Sequence, residues 1–134
     1  MKQPNKRKPQ SVFFQELKQL SERKIQNAFF KAFNKCGFHN YALPFAVKNE
    51  VGKNCERTGR LNKLAGVVSG MADVIVLDMR GKCMPLFLEF KASKGNQSIN
   101  QKHMQAILEE AGYTYYIVRS SEEAINRVKE YFNL

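Results

Sequence analysis

Three charged residues, Asp73, Glu89 and Lys91, lie within or beside segments that are otherwise apolar. Charged side chains are rarely buried unless a partner or a metal ion compensates them. Glu89 and Lys91 are two positions apart, so in a strand their side chains would share one face of a sheet. A hairpin centred on Gly81, midway between positions 73 and 89, would place Asp73 opposite Glu89 on that face.

Such a cluster is suited to binding a divalent cation. Opposed carboxylates, with Cβ atoms about 4.5–5.5 Å apart, repel each other unless a positive charge lies between them. Mg²⁺ is commonly held by one or two carboxylates together with water and phosphate oxygens, and Asp73 and Glu89 are suitable ligands for it or for Mn²⁺. Lys91 would then orient an attacking water or stabilise charge in phosphodiester hydrolysis. A salt bridge along an exposed sheet face explains the same spacing equally well.

The apolar patterns predict the elements that would position these residues, in the order helix, three strands, helix, strand, helix. Strands are predicted over 42–48, 72–78, 84–91 and 113–118. A short helix is predicted over 11–20, followed by helices that start at Ser21, at Ser98, and at Ser120 or Ser121. The hairpin implies antiparallel pairing, and the strand–helix–strand step implies one parallel or crossover pairing. The expected architecture is a mixed β-sheet flanked by α-helices.

Length and composition fit one globular domain: the chain has 134 residues, of which 43% are hydrophobic. Residues 1–10 are expected to form a flexible basic tail and residues 11–134 the domain. The three cysteines form no C-x-x-C pair, so neither a zinc site nor a disulfide framework is indicated. With no signal peptide and no long apolar run, the expected location is the cytoplasm.

The charge balance points to a polyanionic partner. Lys and Arg total 22 against 12 Asp and Glu, which gives a net charge of +10. Nucleic acid is the commonest partner of such a surface, although a soluble basic protein would also fit. An anionic membrane surface is disfavoured, because the sequence shows no long basic amphipathic helix. No recognition helix or zinc finger is visible. The candidate phosphate contacts, each of which could equally be a solvated side chain, are Lys53, Arg57, Arg60, Lys63, Lys94 and Lys102.

Two motifs resemble the core signature of the PD-(D/E)XK nucleases, namely 70–73 (GMAD) and 89–91 (EFK). The closest resemblance is to the VRR-NUC branch, the virus-type replication and repair nucleases, and it covers roughly residues 21–132. One departure is Ala72, where the family usually has proline. Further positions that match the family pattern are the lead-in 63–70, Ser98, Gln101 and the pair 112–113.

This resemblance implies a restriction-endonuclease-like α/β fold and a Mg²⁺-dependent endodeoxyribonuclease. Asp73 and Glu89 would be metal ligands together with the carbonyl of Phe90, and Lys91 would be the catalytic lysine. Family members also carry a glutamine that supports the active site and often a glutamate on the first long helix as a further ligand. Those roles would fall to Gln101 and Glu22. Gln101 could instead complete a capping box with Ser98, and Glu22 could interact with a helix dipole.

The resemblance also suggests a substrate. Short stand-alone members tend to be phage-encoded and resemble Holliday-junction resolvases, which act as homodimers on branched DNA. Phe13 and Phe14 could supply a dimer surface or could cover the core. The alternatives are a nicking or restriction-like endonuclease on linear duplex DNA, and a DNA-binding module without catalysis. No membrane partner and no small-molecule cofactor are expected.

Overall fold

The computed structural model describes residues 10–48 and 63–134, without the side chains of residues 11–16. The predicted order of elements is confirmed. The elements are α1 (Gln10–Cys36), β1 (Ala42–Ala46), β2 (Val74–Asp78), β3 (Leu86–Phe90), α2 (Ile99–Glu110), β4 (Thr114–Val118) and α3 (Ser121–Phe132). Apart from Gln10, which begins α1, the predicted basic tail lies outside the described residues.

The first helix differs from the prediction, because α1 is one continuous helix of 27 residues. The predicted start of a second helix at Ser21 is therefore wrong. No glycine or proline interrupts residues 10–36, so nothing in the backbone breaks the helix. Ser21 satisfies its hydroxyl within the helix by donating to the carbonyl of Leu17 at 3.1 Å. The helix ends at Cys36, and Gly37 follows it with a φ of +71°, a left-handed conformation typical of the residue after a helix.

The four strands form one mixed sheet in the order β1-β2-β3-β4. The β1–β2 and β2–β3 pairs are antiparallel, and β3 and β4 are parallel with α2 as the crossover. In the β2–β3 hairpin Val74 pairs with Leu88 and Ile75 with Phe87, which is the predicted register centred on Gly81. Gly81 has a φ of +68°, a left-handed conformation that favours glycine in this turn.

Two apolar layers hold the sheet. The helices α1 and α3 cover one face, where Phe29, Phe33, Phe90 and Phe132 are fully buried or nearly so. Ala124, Ile125, Val128 and Phe132, which recur at helical spacing along α3, are buried. The other face carries a smaller cluster of Ala72, Phe87 and Tyr115, against which Leu108 of α2 packs.

The helix α2 contacts the sheet less extensively than its apolar pattern predicts. Met104 and Leu108 are half-buried, but Ile107 and Ala111, which belong to the same apolar spacing, are exposed. The contact is therefore a narrow stripe along the helix, and this leaves room for polar side chains between α2 and the sheet. On α1, Ala28 is likewise exposed although it fits the apolar spacing. Within 10–48 and 63–134 no helix is both long and apolar enough to cross a membrane.

Candidate active site

The β2–β3 register brings the predicted carboxylates together. Asp73 immediately precedes β2, and continuing the ladder by one residue places it opposite Glu89 of β3. The backbone N–H of Phe90 donates to Asp73 Oδ2 at 2.8 Å, which fixes that side chain against the end of β3. Lys91 follows β3 on the same face as Glu89. The sequence prediction of a cluster of two carboxylates and a lysine is therefore confirmed.

The segment before Asp73 is docked on the start of α2. Gly70 has a φ of +77°, and a Cβ at this position would collide with the backbone of Asn100. Close by, Asn100 Nδ2 donates to Ser69 Oγ at 3.0 Å. A glycine is needed at position 70 both for its conformation and for this close approach. The contact sets the path by which the chain enters β2 and reaches Asp73.

Lys91 lies between two glutamates and is almost fully buried. Its Nζ is 3.5 Å from Glu89 Oε1 and 3.9 Å from Glu22 Oε1, and its side chain is only 7% exposed. Glu22 reaches the cluster from the interior of α1, so the predicted interaction with the N-terminus of a helix is wrong. The helix begins twelve residues earlier at Gln10, and the dipole effect is confined to the first turn. The structure thus brings Glu22 to Lys91, so that the carboxylates of Glu22 and Glu89 contact the same Nζ.

Two carboxylate oxygens of this cluster are buried without a hydrogen-bond donor among the described residues. They are Glu22 Oε1 and Glu89 Oε1, the same atoms that face Lys91. A buried oxygen without a donor is costly unless a positive charge compensates it. The lysine ammonium supplies part of that compensation, and a bound cation would supply more.

The electrostatics of the cluster disfavour a further negative charge. Burial is the largest influence on Asp73, and together with the nearby charges of Glu89 and Glu22 it raises the pKa of Asp73 to about 6. The hydrogen bond from Phe90 and the charge of Lys91 act in the opposite direction. Asp73 therefore keeps its proton to a higher pH than an ordinary aspartate does, and its ionised form is stabilised by any cation bound beside it.

The second oxygen of Glu89 is held by two residues that sequence reasoning missed. Glu89 Oε2 accepts hydrogen bonds from the Tyr115 hydroxyl at 2.5 Å and from Gln97 Nε2 at 2.8 Å. Burial and the adjacent Glu89 raise the pKa of Tyr115 well above its usual range, so its hydroxyl stays protonated and can donate. No local pattern identifies Tyr115, because its place opposite Phe87 follows from the parallel pairing of β3 with β4.

The side chain of Gln101 is used by the cap of α2. Gln101 Oε1 accepts a hydrogen bond from the backbone N–H of Ser98 at 2.8 Å, and the backbone N–H of Gln101 donates to Ser98 Oγ at 3.2 Å. The structure therefore supports the capping-box interpretation. The glutamine amide that contacts Glu89 belongs to Gln97, four residues earlier, which also donates to Gln105 Oε1 at 2.9 Å.

The predicted phosphate contacts are only partly described. Lys63, Lys94 and Lys102 are exposed, as a contact with a polyanion requires. Lys94 lies three residues after Lys91, in the loop that leads from β3 to α2. The other predicted contacts, Lys53, Arg57 and Arg60, lie outside the described residues.

Arg119, the residue that follows β4, holds the loop that carries Gln97. Arg119 Nη1 donates to the carbonyl of Ala92 at 2.6 Å and to that of Gly95 at 2.9 Å. A guanidinium that bridges two carbonyls restricts the loop between them. Gln97, two residues further on, is thereby kept close to Glu89.

The donor set fits a hard divalent cation. Within the described residues no group of three or more His, Cys, Asp or Glu side chains is arranged as a ready metal cage. Mg²⁺ does not require such a cage, since one or two carboxylates with water and substrate phosphate are its usual environment. Asp73, Glu89 and the Phe90 carbonyl can provide that set, and the donor-free oxygens of Glu89 and Glu22 are consistent with it.

Comparisons with known proteins do not add a family to this description. A scan against models of known protein families found no match for the chain, and a search of curated proteins found no significant similarity.

Proposed function

We propose that this chain is a Mg²⁺-dependent DNA endonuclease of the PD-(D/E)XK type. The observation that carries the proposal is the convergence of Asp73, Glu89 and Lys91 at adjoining strand ends, with buried carboxylate oxygens that find no hydrogen-bond donor among the residues of 10–48 and 63–134. A structural salt bridge needs only one carboxylate for each lysine. Here two glutamates lie near one lysine, and a third carboxylate, that of Asp73, is close enough to interact electrostatically with all three.

Each residue of the cluster has a role in phosphodiester hydrolysis. Asp73, Glu89 and the Phe90 carbonyl would hold the cation, with Glu22 as a further ligand. A divalent cation bound there would neutralise charge on the scissile phosphate and acidify a water molecule. The Phe90 N–H keeps Asp73 at the end of β3. Lys91, held beside Glu89, can donate to the attacking water or to a phosphate oxygen and so stabilise the negative charge of the transition state.

Charge supports DNA as the substrate. The chain carries a net charge of +10, and nucleic-acid affinity depends largely on such charges. The exposed Lys94 lies in the loop between Lys91 and α2, and the exposed Lys102 lies near the start of α2, so positive charge follows the cluster in the chain. A phosphate backbone bound by these lysines would pass close to Asp73 and Glu89.

A finer proposal concerns the form of the enzyme and its substrate. We infer a homodimer that prefers four-way junctions, on the basis of the resemblance to short junction-resolving nucleases. Paired nicks on a junction require two sites related by a twofold axis, which a homodimer supplies. Light scattering coupled to size exclusion, together with competition between a junction and a duplex of equal length, tests this point. A monomer without junction preference would leave a nuclease of linear DNA.

A cleavage panel tests the activity itself. Wild-type protein is incubated with duplex, flap, single-stranded and four-way-junction DNA in Mg²⁺, in Mn²⁺ and in EDTA. We expect cleavage only with a divalent cation, and none by Glu89→Gln. Glu110→Gln, which changes an exposed carboxylate on α2, is the matched control and should cut at the wild-type rate. Binding in EDTA without cleavage of any substrate in metal would instead indicate a non-catalytic DNA-binding module.

A further inference from the structure

The two oxygens of Glu89 have different surroundings, although the side chain is fully buried. Oε2 accepts two hydrogen bonds, from the hydroxyl of Tyr115 and the amide of Gln97. Oε1 accepts none from the part of the chain that the structure describes, and it lies 3.5 Å from Lys91 Nζ. This asymmetry orients the carboxylate, because two donors on one oxygen restrict its rotation about the Cγ–Cδ bond.

The donors come from separate elements, so they do not move together. Tyr115 is anchored in β4 by its parallel pairing with Phe87, and only 5% of its surface is exposed. Gln97 belongs to the loop before α2, and its amide is also bonded to Gln105 of that helix. If the carboxylate rotated, neither donor could follow it without disturbing its own element.

We propose that Tyr115 is a positioning residue that, together with Gln97, holds Glu89 so that Oε1 is presented to a divalent cation. This inference rests on the proposed function, since it concerns the same site. A ligand that is already oriented binds with a smaller loss of conformational freedom. The residues that hold metal ligands in this way typically contribute 10–100-fold to metal affinity. Loss of the Tyr115 hydroxyl should therefore weaken cation binding even though Tyr115 is not itself a ligand.

Calorimetric titration of the DNA-free protein with MnCl₂ tests the proposal. Tyr115→Phe removes only the hydroxyl, and we expect its Kd for Mn²⁺ to rise about tenfold or more. Tyr116→Phe is the matched control. It lies on the opposite face of β4, where its ring contacts Arg127, a contact that phenylalanine preserves. Its Kd should equal that of the wild type, and thermal unfolding without metal establishes that each variant is folded at the titration temperature.

A second variant keeps the test decisive. Gln97→Met removes the other donor to Oε2 from a half-buried loop position and should also weaken Mn²⁺ binding. If Tyr115→Phe does not fold, the result for Gln97→Met decides: wild-type affinity in this variant overturns the proposal. Wild-type affinity in a folded Tyr115→Phe likewise overturns it, while leaving the nuclease proposal intact. Absence of Mn²⁺ binding and of DNA cleavage in the wild type would overturn both.

Discussion

Replacing Asp73 by asparagine should stabilise the metal-free protein while abolishing cleavage. Asparagine is nearly isosteric and can still accept the hydrogen bond from Phe90, but it carries no charge. Folding raises the pKa of Asp73 from its ordinary 3.8 to about 6, with burial as the main cause. The folded state therefore binds this proton more tightly than the unfolded state does. The resulting stability is fully present below pH 3.8 and is lost as the pH rises through about 6.

A rise of this pKa from 3.8 to about 6 corresponds to about 3 kcal/mol at pH 7, since each tenfold change in proton affinity is worth about 1.36 kcal/mol. Urea unfolding in EDTA measures it. The Asp73→Asn variant should exceed the wild type by roughly this free energy of unfolding at pH 7, and the difference should vanish near pH 3.5. An Asp73→Asn variant no more stable than the wild type at pH 7 would refute the inference that the ionised Asp73 carboxylate destabilises the metal-free fold.

Asp78 at the other end of β2 provides a control of opposite sign. Burial alone would raise the pKa of Asp78, but hydrogen bonds from the backbone and guanidinium of Arg80 and from the N–H groups of Cys83 and Lys82 hold it well below its usual range. Its stabilisation is present above the ordinary pKa and is lost as the pH falls through the folded value. Asp78→Asn should therefore destabilise the protein at pH 7. The same substitution is thus expected to have opposite effects at the two positions.

Three further results are expected. Lys91→Met should abolish cleavage and lower the free energy of unfolding in EDTA by about 3 kcal/mol, because it leaves buried carboxylates uncompensated. The exposed Lys94→Met should lower it by less than about 0.5 kcal/mol, and equal stability of the two variants in urea would contradict the compensating role of Lys91. Arg119→Met should speed hydrogen exchange across 92–98 and slow cleavage, and unchanged exchange would show that the loop is held by other contacts. Changing Lys94 and Lys102 together to glutamine should reduce the slope of log K for DNA binding against log salt by about 2, as measured by fluorescence anisotropy. An unchanged slope would show that DNA does not contact these two lysines.

The sequence alone determined the hairpin and its charged face. A two-residue period and a glycine turn midway between positions 73 and 89 were enough to place Asp73 opposite Glu89, because strand register depends on local alternation and on the turn. Helix caps are similarly local, so the start of α2 at Ser98 and the stop of α1 at Gly37 were also predictable.

Only the tertiary structure decided which side chains complete the site. The local pattern around Ser21 fits a cap as well as a helix interior, and only the continuous α1, docked on the sheet, brings Glu22 to Lys91. The choice between Gln97 and Gln101 could not be read from spacing, since both lie near the start of α2 and only the docking of that helix on the sheet brings one of them to Glu89. Tyr115 reaches the same carboxylate through a parallel pairing across 26 residues, a contact that no local pattern specifies. Local chemistry thus set the charges of this site, and long-range packing set the neighbours that hold them in place.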